Sequence, residues 1–202
     1  MPPETLNSPA IFTLRVEMRS EWHAGSSRES RASADNRVHI NHHDLPELSG
    51  KSVKGLLRDA FYDALAYGWL ADADENALVA LFGREGPDAE AQGSLRFTSA
   101  TLDEATCTYL RHTPQALRHL FLLRHATAID AQTGTAKDAS LRTLEVVVPV
   151  TLFTTLTLNS NNTTLRQAFP GWLAAALPLI MAAGGKRRRG FGEVSVTLEP
   201  SS

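Results

Sequence analysis

An α+β domain in the order strand, helix, two strands, helix, strand is predicted by three features of this sequence. Apolar and polar residues alternate near both ends of the chain, apolar residues recur every three or four positions in two internal segments, and turn residues separate these blocks. From Ile11 onward, Phe12, Leu14, Val16 and Met18 point one way and Thr13, Arg15, Glu17 and Arg19 the other, which is a half-buried strand. Residues 22–44 are polar, rich in Ser, Arg, His and Asn, and without period. A stretch of that length reads as a long functional or disordered loop.

Ser49 and Gly50 then open a helix whose buried stripe is Val53, Leu56, Leu57, Ala60, Phe61, Ala64 and Leu65. Lys51, Lys54 and Arg58 follow the same spacing on another face. Cations in a first helical turn oppose the macrodipole at a cost of a few tenths of a kcal/mol, roughly, which a bound anion would offset. Leu95 and Phe97 form a short strand after Gly93, and residues 117–123 fit either a strand or a short helix. Residues 126–144 read as an extended excursion turning at Thr133-Gly134, with too few and too irregular apolar residues to build core. Residues 144–158, rich in Val, Thr and Phe and interrupted by Pro149, read as strand, bulge or edge, strand. A last helix is expected over about 165–183, kinked at Pro170-Gly171 and Pro178 and ended by Gly184-Gly185, before a strand with Val194, Val196 and Leu198 in alternation. The expectation is a ferredoxin-like or RRM-like βαββαβ core with a long loop after the first strand and a hairpin inserted at 126–144, all in one domain, 1–202.

The 202 residues suffice for one domain with a real core. Twenty Lys and Arg against 22 Asp and Glu give a formal charge of −2, so any polyanion binding must come from local patches. The single cysteine, Cys107, excludes an internal disulfide and a cysteine-based zinc site and fits a reducing cytosol. MPPETLNSPA lacks the cationic start and apolar run of a signal peptide, and no apolar run reaches membrane-spanning length, so a cytoplasmic, membrane-free protein is expected.

Against that near-neutral background, GGKRRRGFGEVSV at 184–196 sets Lys186, Arg187, Arg188 and Arg189 between Gly184-Gly185 and Gly190-Phe191-Gly192. Exposed amides beside a cation run attract phosphate; a solvated turn before the last strand is the plainer reading. The segment LPELSGKSVKGLLR contains Gly50-Lys51-Ser52, but a phosphate-binding P-loop needs a glycine where Leu45 stands. His39, His42 and His43 lack the helical context of a histidine metal site, and RNA or subunit contact suits them better.

The same segment resembles the signature helix of the RAMP superfamily of CRISPR effector proteins, with Leu45-Pro46, Gly50, Ser52, Lys54, Gly55 and Arg58 at matching positions. Ser49 replaces the usual proline and Lys51 the first serine. AIDAQTGTAKDASLRTLEVV at 128–147 resembles the thumb hairpin of Csm-type backbone subunits, with Thr133, Gly134, Thr135 and Lys137 at its turn, and Gly184, Gly185, Gly190 and Gly192 match the family's glycine-rich loop. The resemblance implies a guide-RNA-binding backbone subunit of a type III CRISPR ribonucleoprotein. Lys51, Ser52, Lys54, Arg58 and Lys186, Arg187, Arg188 and Arg189 would hold RNA, and the partners would be target RNA, further copies in a filament and other effector subunits.

Asp35-Asn36, with Val38 and Leu45-Pro46 following, matches the family's loop for metal-dependent target cleavage. The resemblance therefore assigns Asp35 as catalytic and as ligand of a divalent ion, Mg²⁺ or Mn²⁺. Read from the residues alone, Asp35 is a solvated loop carboxylate. Two alternatives stand beside this one: a structural RNA-binding subunit with an inactive loop, and a metal-independent, histidine-centred guide-RNA processing nuclease. The thumb-like insertion favours a backbone subunit over the latter.

Overall fold

Leu14, Val16 and Met18 give the first strand, β1 (Ala10–Met18), one buried face, as a period of two requires. The computed structural model of the chain describes residues 8–25, 37–84, 92–137, 140–185 and 187–200. β1 lies inside a four-stranded antiparallel sheet, flanked by β5 (Thr151–Leu158) and β6 (Val194–Leu198), with the short β2 (Leu95–Phe97) beyond β5. The register sets Val16 opposite both Leu152 and Val196, so the apolar side chains of three strands share one face.

Two helices, α1 (Gly50–Ala66) and α5 (Thr163–Ala176), supply the other half of the core. Phe169 of α5 meets Phe12 edge-on at 5.2 Å and stacks on Phe61 of α1 at 6.0 Å, with Phe82 against Phe61 at 5.3 Å. Two buried polar groups in or against this core are satisfied: Thr154 donates to Thr98 O at 2.8 Å and Trp172 Nε1 to Ala71 O at 2.8 Å. The α+β class read from the sequence holds, and β1, α1, β2, β5, α5 and β6 follow in the anticipated order.

Three helices add to that plan: α2 (Glu75–Phe82), α3 (Glu104–His112) and α4 (Pro114–Arg118). Asp74 caps α2 by accepting from Ala77 N, and Asp103 caps α3 by accepting from Thr106 N. Residues 117–123 divide between the end of α4 and the start of β3 (Phe121–Ala126), which pairs antiparallel with β4 (Arg142–Val147) as a separate two-stranded ribbon. The hairpin therefore begins before 126 and ends after 144. Its base belongs to the interior, with Leu144, Val146 and Val147 buried, while residues 131–137 are exposed. The last helix stops at Ala176 and not near 183. Leu177–Leu179 forms a 3-10 turn containing Pro178, whose missing N–H cannot extend the α-helical ladder, and Ala182 then pairs with Glu193.

The ribbon is tied to the segment following β1. Trp22 and Val147 exchange backbone hydrogen bonds of 3.0 and 2.8 Å, and Arg124 on β3 forms a bidentate pair with Glu21. That guanidinium holds the Glu21 carboxyl below the usual carboxylate range. At the far end Asp130 accepts from Gln132 N at 2.8 Å and Thr133 N at 3.1 Å, and Gly134 takes the positive φ of +70° that turns the chain.

Candidate nucleic-acid interface

Ser49 opens α1 by accepting from Ser52 N at 3.2 Å, doing as an N-cap what a proline could not. No acidic residue occupies the first turn, Lys51 is exposed there, and Gly50 lies so close to β2 that a β-carbon would come within 2.8 Å of Phe97 O. The helix start is thus seated against the sheet with its free amide end and a lysine facing outward.

The glycine-rich turn is fixed by backbone contacts. Gly185 N donates to His23 O at 2.6 Å, Gly192 N to Glu21 O at 2.8 Å, and Ala183 N to Gly192 O at 2.8 Å. Gly184, at φ +84°, leaves no room for a β-carbon, which would come 2.6 Å from His23 O, and a β-carbon on Gly192, at φ +76°, would run into Ala183 O. These two glycines serve the close approach of protein backbone to protein backbone. Gly190, at φ +80°, and Gly185 meet no such obstruction. Between the stem residues, Arg187–Arg189 forms one 3-10 turn, exposing Arg187 and Arg189.

The two elements face each other across a cleft of about 570 Å³. Lys51, Ser52 and Gly55 of α1 form one wall, Gly184, Gly185 and Arg187 the other, and Ala24, Gly25 and His39 close it, with Asp59 as the carboxylate on its border. His39 is held by a 3.0 Å hydrogen bond from Nε2 to Glu47 Oε1, which also accepts from Ser99 Oγ at 3.3 Å. Gly25 and Val38 pair as an isolated bridge, His39 N donates to Ala24 O at 2.6 Å, and Val38 N donates to Glu145 Oε2 at 3.0 Å. Gly25 and His39, on either side of residues 26–37, both line the cleft.

Of the residues anticipated from the sequence, Lys51, Ser52, Gly184, Gly185 and Arg187 line this one cleft. Lys54 is half-buried and is not part of its lining, and Arg58 lines a second groove with Tyr62, Asp63 and Arg84. The two grooves share Asp59. Thr133, Gly134, Thr135 and Lys137 are exposed at the hairpin turn. Asp35 and Lys186 lie outside the described residues, and of Arg188 only the turn it belongs to is described. His42 and His43 are exposed, their rings 3.8 Å apart, and do not line the cleft, unlike His39. Among the described residues no group of three or more His, Cys, Asp or Glu side chains could hold a metal ion. Sequence reasoning missed Asp59, Glu47 and the structural use of His23, since nothing in their local pattern marks them.

A cation on each side, a helix amide end and a half-buried imidazole make a cleft suited to a phosphodiester strand. No helix among the described residues is long and apolar enough to cross a membrane. The fold is similar to that of a chain in a cryo-EM structure of the type III-B Cmr-beta complex bound to cognate target RNA, with a TM-score of 0.73 at 10% identity over 96% of this chain and 98% of that one. A chain of the apo-state Cmr-beta structure gives 0.69 at 11% identity, covering 93% and 96%. No curated protein sequence matches the chain. The RAMP superfamily model matches residues 15–195, a span that includes the capped cationic helix, the hairpin and the glycine-rich turn, and the chain belongs to that superfamily.

Proposed function

We propose that the chain is a guide-RNA-binding backbone subunit of a type III CRISPR ribonucleoprotein. The observation that carries this reading is the cleft in which Lys51 and Ser52 of α1 meet Gly185 and Arg187 of the glycine-rich turn. The similar folds come from an effector complex, one of them bound to target RNA. Guide RNA, target RNA, other effector subunits and further copies of the chain are the expected partners.

The test is a salt titration. Lys51→Ala with Arg187→Ala should weaken single-stranded RNA binding and flatten the slope of log affinity against log salt by roughly 1.4, two contacts at about 0.7 each for a single strand. An unchanged slope would place the RNA elsewhere.

The finer proposal is that Asp35 makes the subunit a target-RNA nuclease dependent on Mg²⁺ or Mn²⁺. Its support is that Asp35 lies in sequence between Gly25 and His39, both of which line the cleft. The described residues offer no ready-made metal cage, so Asp35 together with phosphate oxygens of the RNA would form the donor set, which agrees with the few protein ligands Mg²⁺ accepts. A bound divalent ion would supply charge neutralisation at the phosphate. Asp35→Ala should keep guide and target binding and lose cleavage, and EDTA should reversibly do the same to the wild type. The cut ends should carry a cyclic phosphate if a ribose 2′-OH attacks. Retained cleavage in Asp35→Ala would refute the assignment.

The metal-independent reading has one observation in its favour, the imidazole of His39 held by Glu47 in the cleft wall. EDTA-resistant cleavage that is lost in His39→Ala would select it. A wild type that binds RNA and never cuts it would be the structural subunit.

A further inference from the structure

A second groove, of about 560 Å³, opens between α1 and α2 and shares only Asp59 with the RNA cleft. Arg58, Asp59, Tyr62 and Asp63 of α1 form one wall, and Gly83 and Arg84 at the end of α2 belong to the other. Packing fixes both walls. Phe61 of α1 meets Phe82 of α2 edge-on at 5.3 Å, and Gly83, at φ +82°, closes α2 by donating from N to Val79 O at 2.8 Å before the chain passes to the exposed Arg84. The volume lies within the range of about 300–1,000 Å³ that small ligands occupy.

The order of side chains around α1 narrows the choice of ligand. At about 100° per residue, Arg58, Tyr62, Asp59 and Asp63 follow one another through a sector of about 140°: a cation, an aromatic ring, then two carboxylates. Lys51 and Gly55 of the cleft fall in the same sector, and Tyr62 lies about 10 Å along the axis from Gly55. Cleft and groove therefore succeed each other along one open side of one helix, within reach of one strand. The two arginines and two aspartates of the groove cancel, so neither a plain anion nor a plain cation gains from it. A small zwitterion would leave the exposed Tyr62 ring unused. A nucleotide uses all three features, with phosphate beside arginine, base on the ring and base amino group on carboxylate.

We propose that this groove seats one nucleotide of the strand that the cleft holds, its base stacked on Tyr62 and its exocyclic amino group donating to the Asp59/Asp63 pair. Cytosine and adenine carry that amino group. Uracil carries a carbonyl oxygen in its place, which sets acceptor against acceptor, so the groove discriminates against uracil. The inference rests on the reading of the cleft as an RNA site.

Fluorescence anisotropy with oligocytidine and oligouridine just long enough to cover one copy tests it. The wild type should bind oligocytidine about tenfold more tightly. Asp59→Asn with Asp63→Asn, whose amides both donate and accept, should erase that preference. Tyr62→Ala should weaken oligocytidine binding about tenfold, and Tyr62→Phe should not, since stacking needs only the ring. Arg84→Ala should flatten the slope of log affinity against log salt by roughly 0.7, the value of one single-strand contact. Equal affinity of the wild type for the two oligomers, or a preference that survives in the double asparagine protein, would overturn the assignment. Free cytidine monophosphate that saturates the groove as tightly as the oligomer does would overturn it too, since the groove would then be a mononucleotide site independent of the strand. Lys51→Ala with Arg187→Ala separates the two readings. A slope that falls with that pair but not with Arg84→Ala sinks the groove and leaves the RNA cleft standing. Slopes unchanged by any of these substitutions sink both.

Discussion

Gly55 and Gly184 both line the cleft, for opposite physical reasons. A β-carbon on Gly184 would press on His23 O, and its φ of +84° disfavours any side chain, so the protein's own packing requires that glycine. Gly55 sits in the interior of α1, where glycine costs about 0.5–1 kcal/mol relative to alanine, and a β-carbon there would meet nothing within 4 Å. The fold gains nothing from it, so what remains is the space it leaves in the cleft wall. Gly55→Ala should raise unfolding stability by about 0.5–1 kcal/mol in urea and at the same time weaken RNA binding. Gly184→Ala should destabilise the protein by more than about 1 kcal/mol. Undiminished RNA affinity in a stabilised Gly55→Ala protein would mean that the ligand does not approach α1 there.

Among the elements, the outer hairpin has a titratable device. The backbone amides of Gln132 and Thr133 both donate to Asp130, holding its carboxyl below the usual carboxylate range. A depressed folded pKa favours the ordered turn above the unfolded value, near pH 4, and that contribution is lost only as the pH falls through the lower, folded value. NMR shifts of the Thr133 and Gly134 amides should therefore stay native through about pH 4 and move below it. Asp130→Ala should show the disordered shifts at every pH, and titration of the wild-type turn above pH 5 would contradict the assignment.

How much of each element was legible from sequence depended on its length and on the distance of its partners. β1, β5, β6 and the buried stripe of α1 were readable because their periods run for several repeats. The two short helices α2 and α3 were not anticipated, although Asp74 and Asp103 stand as N-caps before apolar residues three or four apart, because about two turns give too short a pattern. The last helix ends before its apolar composition does, because that composition continues past Pro178 while the backbone has already left the helix. Lys51 and Arg58 do share a helical face, yet seven residues advance the chain about 10 Å, enough to carry Arg58 into the next groove. The pairing of α1 with the glycine-rich turn has no local signal at all. Only the resemblance to a family suggested it.

On the scale of the whole molecule, 20 basic and 22 acidic residues leave no long-range field to gather a polyanion, so one copy must hold RNA with its local cations alone. Among the described residues, Lys51 and Arg187 are the lysine and arginine that line the cleft, and Asp59 borders it as an unfavourable charge. A site with so few favourable contacts binds one short strand weakly and with strong salt dependence. Tight binding then has to come from contact between copies: a second copy that touches the one already seated gains both the RNA and its neighbour, whereas copies that never touch would each bind with the single-site affinity. Apparent affinity per copy should therefore rise with RNA length, by tenfold or more between an oligonucleotide that seats one copy and one that seats several, and the binding curve should steepen. Fluorescence anisotropy over a length series measures both. An affinity independent of RNA length would show that the chain acts as a solitary RNA-binding domain and not as a repeating unit along a guide.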